Sequence, residues 1–136
     1  MIAEAHGLSP VICSALGEMR VGDWEGMTLD DLRQSPTFHQ FNQSRSTVRP
    51  PGGELMLETQ TRMVTQLERL HLQHPSETVA IVSHGDPIRS TLAYYLGIPL
   101  DFIQRLEIDT ASVSQLERSE SGTRVLYLNH TVETPQ

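Results

Sequence analysis

The spacing of apolar positions changes several times along the chain, and each change predicts an element. From Glu54 to His74 the spacing is helical, with Met56, Met63, Leu67 and Leu70 on one stripe and Glu58, Arg62, Glu68 and Arg69 off it. Val79 to Val82 is a continuous apolar run, the pattern of a strand covered on both faces of a parallel sheet. His84 and Gly85 then make a turn, Asp86 and Pro87 open a helix as N-cap and first helical residue, and Gly97 stops it. Pro10 to Ser14, with Val-Ile-Cys at its centre, reads as a second buried strand. Ser112 to Glu117 and Thr123 to Leu128 read as strands around a turn at Ser119 to Gly122, a hairpin at a sheet edge. Weaker signals complete the pattern. Met1 to His6 resembles the tail of a helix stopped by Gly7, and Thr28 with Asp31 forms a capping box for a brief helix ending before Pro36. Phe38 and Phe41 share a face of another short helix, and Ile98 to Gln104 is a short turn around Pro99. Asn42 to Gly53 is polar and contains Pro50-Pro51-Gly52-Gly53, so it predicts an exposed connection or lid. Strands alternating with helices make the fold class α/β.

At 136 residues the chain is long enough for one core, so 1–136 is read as a single domain. Net charge is −7 and all ten basic residues are arginine. Without lysine there is no Schiff base and no phosphate-loop lysine, which removes pyridoxal-phosphate and Walker-type chemistry. The acidic balance with scattered arginines argues against nucleic acid, and no apolar run approaches membrane-spanning length. The expected location is the cytoplasm. A small anion remains possible, because a local group of arginines binds phosphate whatever the net charge.

The lone cysteine, Cys13, sits in an apolar run and reads as core, which argues against a thiolate phosphatase. His6, Glu18, His84 and Asp86 lack metal-ligand spacing, so no metal or other cofactor is expected. His39, His71 and His74 read as surface residues. The stretch Leu16 to Gly26 holds three glycines, three carboxylates and the one tryptophan, a density more common in functional loops, although Trp24 can equally plug the core. Loops after different parallel strands gather at one sheet edge, so Glu18 and His84 could meet there. A carboxyl group beside a phosphate suits protonation of a leaving alkoxide, and an imidazole suits charge on the transferring group. Taken alone, His84 could equally cap a strand and Asp86 only start a helix.

Leu16-Gly17-Glu18, Gly22-Asp23-Trp24-Glu25-Gly26, Pro51-Gly52-Gly53-Glu54 and Val82-Ser83-His84-Gly85 together closely resemble the histidine phosphatase superfamily. Phe102 to Arg105 and Ala111 to Ser114 extend the likeness over nearly the whole chain. The resemblance implies a phosphoglycerate mutase-like fold, with a three-layer, mostly parallel sheet and flanking helices. It implies Glu18 as general acid and base, His84 as the phosphoryl-contacting histidine, and Gly85 at the phosphate-binding turn. Met19, where mutases carry arginine, favours a phosphatase over a mutase, and Leu55 replaces a usual serine.

The family's Arg-His-Gly nucleophile motif does not occur. His6-Gly7 follows Ala5, and Met1 to Gly7 matches the end of a later family helix. The expectation is an N-terminally truncated domain of a phosphomonoester-cleaving family, nearly inert as it stands, that meets a small phosphorylated substrate or inorganic phosphate. Self-association would cover the place of the missing strand. The alternatives are a non-catalytic relic binding phosphorylated metabolites or a partner, and a fragment without function of its own.

Overall fold

The computed structural model describes residues 2–131. Helix α1 (Ile2–Ala5) ends at Gly7, whose φ of +65° is left-handed, while Met1 lies outside the described residues. Helix α2 (Leu29–Arg33) begins on the predicted capping box. The Asp31 N–H donates to Thr28 Oγ1 (3.2 Å) and the Thr28 N–H to Asp31 Oδ2 (3.3 Å). Helix α3 (Pro36–Gln43) starts on its proline, where the missing N–H costs nothing. Helix α4 (Met56–Gln73) buries Met56, Thr59, Gln60 and Met63. Leu67 and Leu70 are only half-buried, so its inward face is best covered at the N-terminal half. Helix α5 (Gly85–Leu96) ends in the left-handed Gly97, as its sequence predicts. Single 3₁₀ turns occupy Ser14–Leu16 and Gly22–Trp24, and a longer 3₁₀ segment Leu100–Arg105.

Strands β1 (Val113–Ser119) and β2 (Gly122–His130) form the predicted hairpin, antiparallel with Ser119 opposite Gly122. Among the described residues this two-stranded sheet is the only one. The strands expected at Pro10 to Ser14 and Val79 to Val82 are not formed. Both stretches lack strand pairing, and Val11, Ile12 and Val82 are 90, 98 and 82% exposed. A two-sided apolar strand needs neighbours along both edges to take up its N–H and C=O groups, and the described residues supply none. Cys13 is accordingly half-buried rather than core.

The core lies instead among the helices and the Leu16 to Gly26 loop. Met19, Trp24, Leu32, Phe41, Met56, Ala93, Leu100 and Ile103 form one buried cluster. Trp24 is its plug: Phe38 and Phe41 both meet its ring edge-to-face at 5.5 Å. The Asn42 to Gly53 segment is not the exposed lid expected from its polarity. Arg45 and Pro50 are buried, and the Ser46 N–H and hydroxyl both donate to Asp101, pinning the segment to the Leu100–Arg105 turn. Arg45 and Ser46 thus find partners within the protein, which composition alone does not reveal, while Gln43, Thr47 and Arg49 are exposed.

Candidate active site

Glu18 and His84 meet. The Glu18 Oε2 lies 3.6 Å from the His84 Nδ1, with both side chains about half exposed. Glu18 follows the Ser14–Leu16 turn, and its Oε1 accepts the Met19 N–H at 2.7 Å. His84, not the expected Asp86, is the N-cap of α5, with an extended backbone (φ −116°, ψ 168°). The two loops are tied just behind the pair, where the Ser83 hydroxyl donates to the Leu16 carbonyl (2.7 Å). An exposed pair of this kind contributes only about 0–1 kcal/mol to folding, so stability alone does not account for the convergence of residues so far apart in sequence.

Asp86 lies in the first turn of α5, where its carboxylate takes Arg45 Nη1 at 2.5 Å and Arg89 Nη1 at 3.3 Å. Two guanidinium groups therefore neutralise the Asp86 carboxylate, two residues after His84. The Arg89 group also overlies Gly85, where an added Cβ would stand 3.0 Å from its Nη1. The first N–H groups of α5, at Gly85 and Asp86, have no acceptor within the helix and carry its positive dipole end. Arrangements of this kind bind anions.

Glu18 rests on a buried polar network. Gly22 and Gly53 bring the two glycine-rich loops into contact. A Cβ on Gly22 would lie 2.2 Å from the Pro51 carbonyl oxygen, and one on Gly53 2.5 Å from that of Arg20. The loops are then stitched by reciprocal bonds, Glu54 N–H to the Arg20 carbonyl (2.8 Å) and Arg20 N–H to Glu54 Oε1 (3.1 Å). Glu54 is 1% exposed, and its carboxylate also accepts from the Thr59 hydroxyl (2.8 Å) and from Arg62 Nη2 (2.8 Å). Burial pushes this carboxyl up, but the Arg62, Thr59 and Arg20 hydrogen bonds outweigh burial and hold it below the ordinary carboxylate range. Arg62 also donates to the carbonyls of Ala15, Gly17 and Glu18 at 2.8, 2.9 and 2.9 Å.

Ser14, Ala15, Glu18, Arg20 and Arg62 line a shallow depression; His84 is beside Glu18 but not among its lining residues. The contact between the side chains, rather than the outline of that depression, locates the site. Among the described residues, no three metal-ligating side chains are placed to share an ion. Sequence reasoning brought out Glu18, His84 and Gly85 but missed Arg45, Arg62 and Arg89. Arg62 and Arg89 lie on helices and Arg45 in the turn after α3, and in sequence each looks like any solvated charge.

A carboxyl group and an imidazole thus converge at the N-terminal end of α5. The chain belongs to the histidine phosphatase superfamily, whose branch 1 matches residues 1–131. It is similar to phosphoserine phosphatase 1 of Hydrogenobacter thermophilus, 29% identical over 132 residues, spanning 96% of this chain and 63% of the relative. A probable phosphoglycerate mutase GpmB of Yersinia pestis is 32% identical over 124 residues, 89% of this chain and 57% of that protein. Among solved structures, Bacillus stearothermophilus YhfR superposes with a TM-score of 0.82 at 28% identity, covering 88% of this chain and 61% of that one. The mycobacterial glucosyl-3-phosphoglycerate phosphatase Rv2419c with inorganic phosphate gives a TM-score of 0.80 at 25% identity, covering 96% and 69%. The chain thus spans less than two thirds of the length of the phosphoserine phosphatase, the mutase and YhfR.

Proposed function

We propose that this chain carries the proton-handling and phosphoryl-contacting part of a phosphomonoesterase site and does not complete the reaction alone. The observation carrying this reading is the 3.6 Å approach of Glu18 to His84 at the start of α5. Glu18, when protonated, would give its proton to the leaving alkoxide, and as a carboxylate would activate water in the second step. His84 and the free N–H groups at Gly85 would hold the phosphoryl oxygens. The substrate is a small phosphomonoester, in keeping with relatives named for phosphoserine and glucosyl-3-phosphoglycerate. The attacking group is the difficulty. The sequence contains no Arg-His-Gly, and among the described residues no second histidine forms an ion pair with Glu18.

Binding without turnover follows as the second reading, favoured by that same lack of a second imidazole. An assay with a generic aryl phosphate tests what both readings share. No turnover above buffer is expected, and turnover that disappears in both Glu18→Gln and His84→Ala would show that this chain is an enzyme by itself.

In the complete three-layer form, Pro10 to Ser14 and Val79 to Val82 would be strands of a mostly parallel sheet. Without strands to pair with they stay uncovered in the chain as described, and self-association would shield Val11, Ile12 and Val82. Light scattering over a concentration series is expected to show a homo-oligomer, and a monomer at every concentration contradicts this. No described helix is long and apolar enough to cross a membrane. The proposed location is the cytoplasm, where cell fractionation should recover the chain.

A further inference from the structure

We infer that Arg62 is a positioning residue, the group that sets the direction in which Glu18 faces His84. The inference rests on the reading of Glu18 and His84 as a working pair.

Arg62 stands on α4, far in sequence from the loop it holds. Its Nε and Nη2 donate to the Glu54 carboxylate (3.4 and 2.8 Å), its Nη1 to the carbonyls of Ala15 and Gly17, and its Nη2 also to that of Glu18. Three carbonyls of one short loop converge on one planar guanidinium, which leaves the Glu18 backbone little freedom to rotate. The side chain then leaves the loop in one direction, with Oε1 on the Met19 N–H and Oε2 toward His84. The guanidinium is oriented in turn from behind. Glu54 is itself fixed by the Thr59 hydroxyl and the Arg20 N–H. Contacts thus run from the interior of α4 through Glu54 and Arg62 to the site.

The plainer reading is that Arg62 and Glu54 form a buried ion pair that only stabilises the fold. Arg62→Lys separates the two. A lysine ammonium keeps the charge against Glu54, but its three donors sit on one nitrogen and cannot reproduce the fork that spans a carboxylate and three carbonyls.

The test uses the isotopically labelled full chain and the NMR signals of the His84 ring and the Met19 amide. In the wild-type background, Glu18→Gln is expected to displace both. In the Arg62→Lys background, the melting temperature is expected to stay near that of the wild type, while the response of His84 to Glu18→Gln shrinks about threefold or more. Arg69→Lys, an exposed change on the same helix, should leave that response intact. A response equally large in Arg62→Lys and wild type would overturn the inference and leave Arg62 a structural residue. Absence of any response in the wild type would instead remove the Glu18–His84 pair itself, and the inference with it. Should Arg62→Lys not fold, Thr59→Val loosens Glu54 while keeping the arginine. It is expected to shrink the same response, and an unchanged response there overturns the inference.

Discussion

Arg62→Ala is expected to destabilise the chain by about 3 kcal/mol, the low end of the range for stripping one partner from a buried ion pair. The effect is large because Glu54, 2% exposed at its side chain, cannot recover water when the guanidinium leaves. It stays at the low end because the Thr59 hydroxyl and the Arg20 N–H still serve the carboxylate. The loss should depend on pH with a definite sign. In the wild type the Glu54 carboxyl is held below its ordinary value of 4.5, so its contribution is complete above 4.5 and fades as pH falls through the lowered value. In Arg62→Ala the lowering from Arg62 is gone, so the carboxyl sits higher than in the wild type and protonation relieves the buried charge earlier on acidification. Urea melts at a series of pH values should therefore show the two proteins converging toward acid. A constant gap across that range would mean that the cost comes from packing rather than charge.

Trp24→Ala is expected to cost about 4 kcal/mol, within the range for removing a large aromatic side chain from a packed core. Trp24 is 7% exposed and takes two edge-to-face ring contacts, each worth about 0.5–1.5 kcal/mol beyond the area it buries. It also joins the Glu18 loop to α3, so its loss frees that loop from the helices beneath it. Since single domains are held by only about 5–15 kcal/mol, the loss takes a large share of the folding free energy. The check is the urea midpoint. A loss below about 1 kcal/mol would show that the loop closes over the cavity and that Trp24 is not the plug.

Local signals were legible in the sequence. The Thr28–Asp31 box, the stripe of α4, the left-handed Gly97 and the β1–β2 hairpin depend on residues a few positions apart, and each is present in the structure. The runs at Pro10 to Ser14 and Val79 to Val82 failed for a non-local reason. Their composition suits a covered strand, but covering depends on neighbours that the described residues do not include. Asp86 was misread as an N-cap because a helix-starting residue type does not report that two distant arginines will claim its carboxylate. Arg62 was passed over for a similar reason, since the three carbonyls it holds lie in another loop. Glu18 and His84 could be named because each sits in a motif with its own turn geometry. Their approach to each other was expected from loops gathering at the edge of a parallel sheet, and the structure shows the approach although the described residues form no such sheet.

The central claim is that Glu18 and His84 share one anion-facing edge, and titrating inorganic phosphate into the wild type, His84→Ala and Glu18→Gln tests it most directly. Losing a charge-assisted hydrogen bond should weaken phosphate binding about tenfold in His84→Ala, while removing a neighbouring negative charge should strengthen it in Glu18→Gln. Phosphate binding that is unchanged in both variants would place the anion elsewhere and contradict the account.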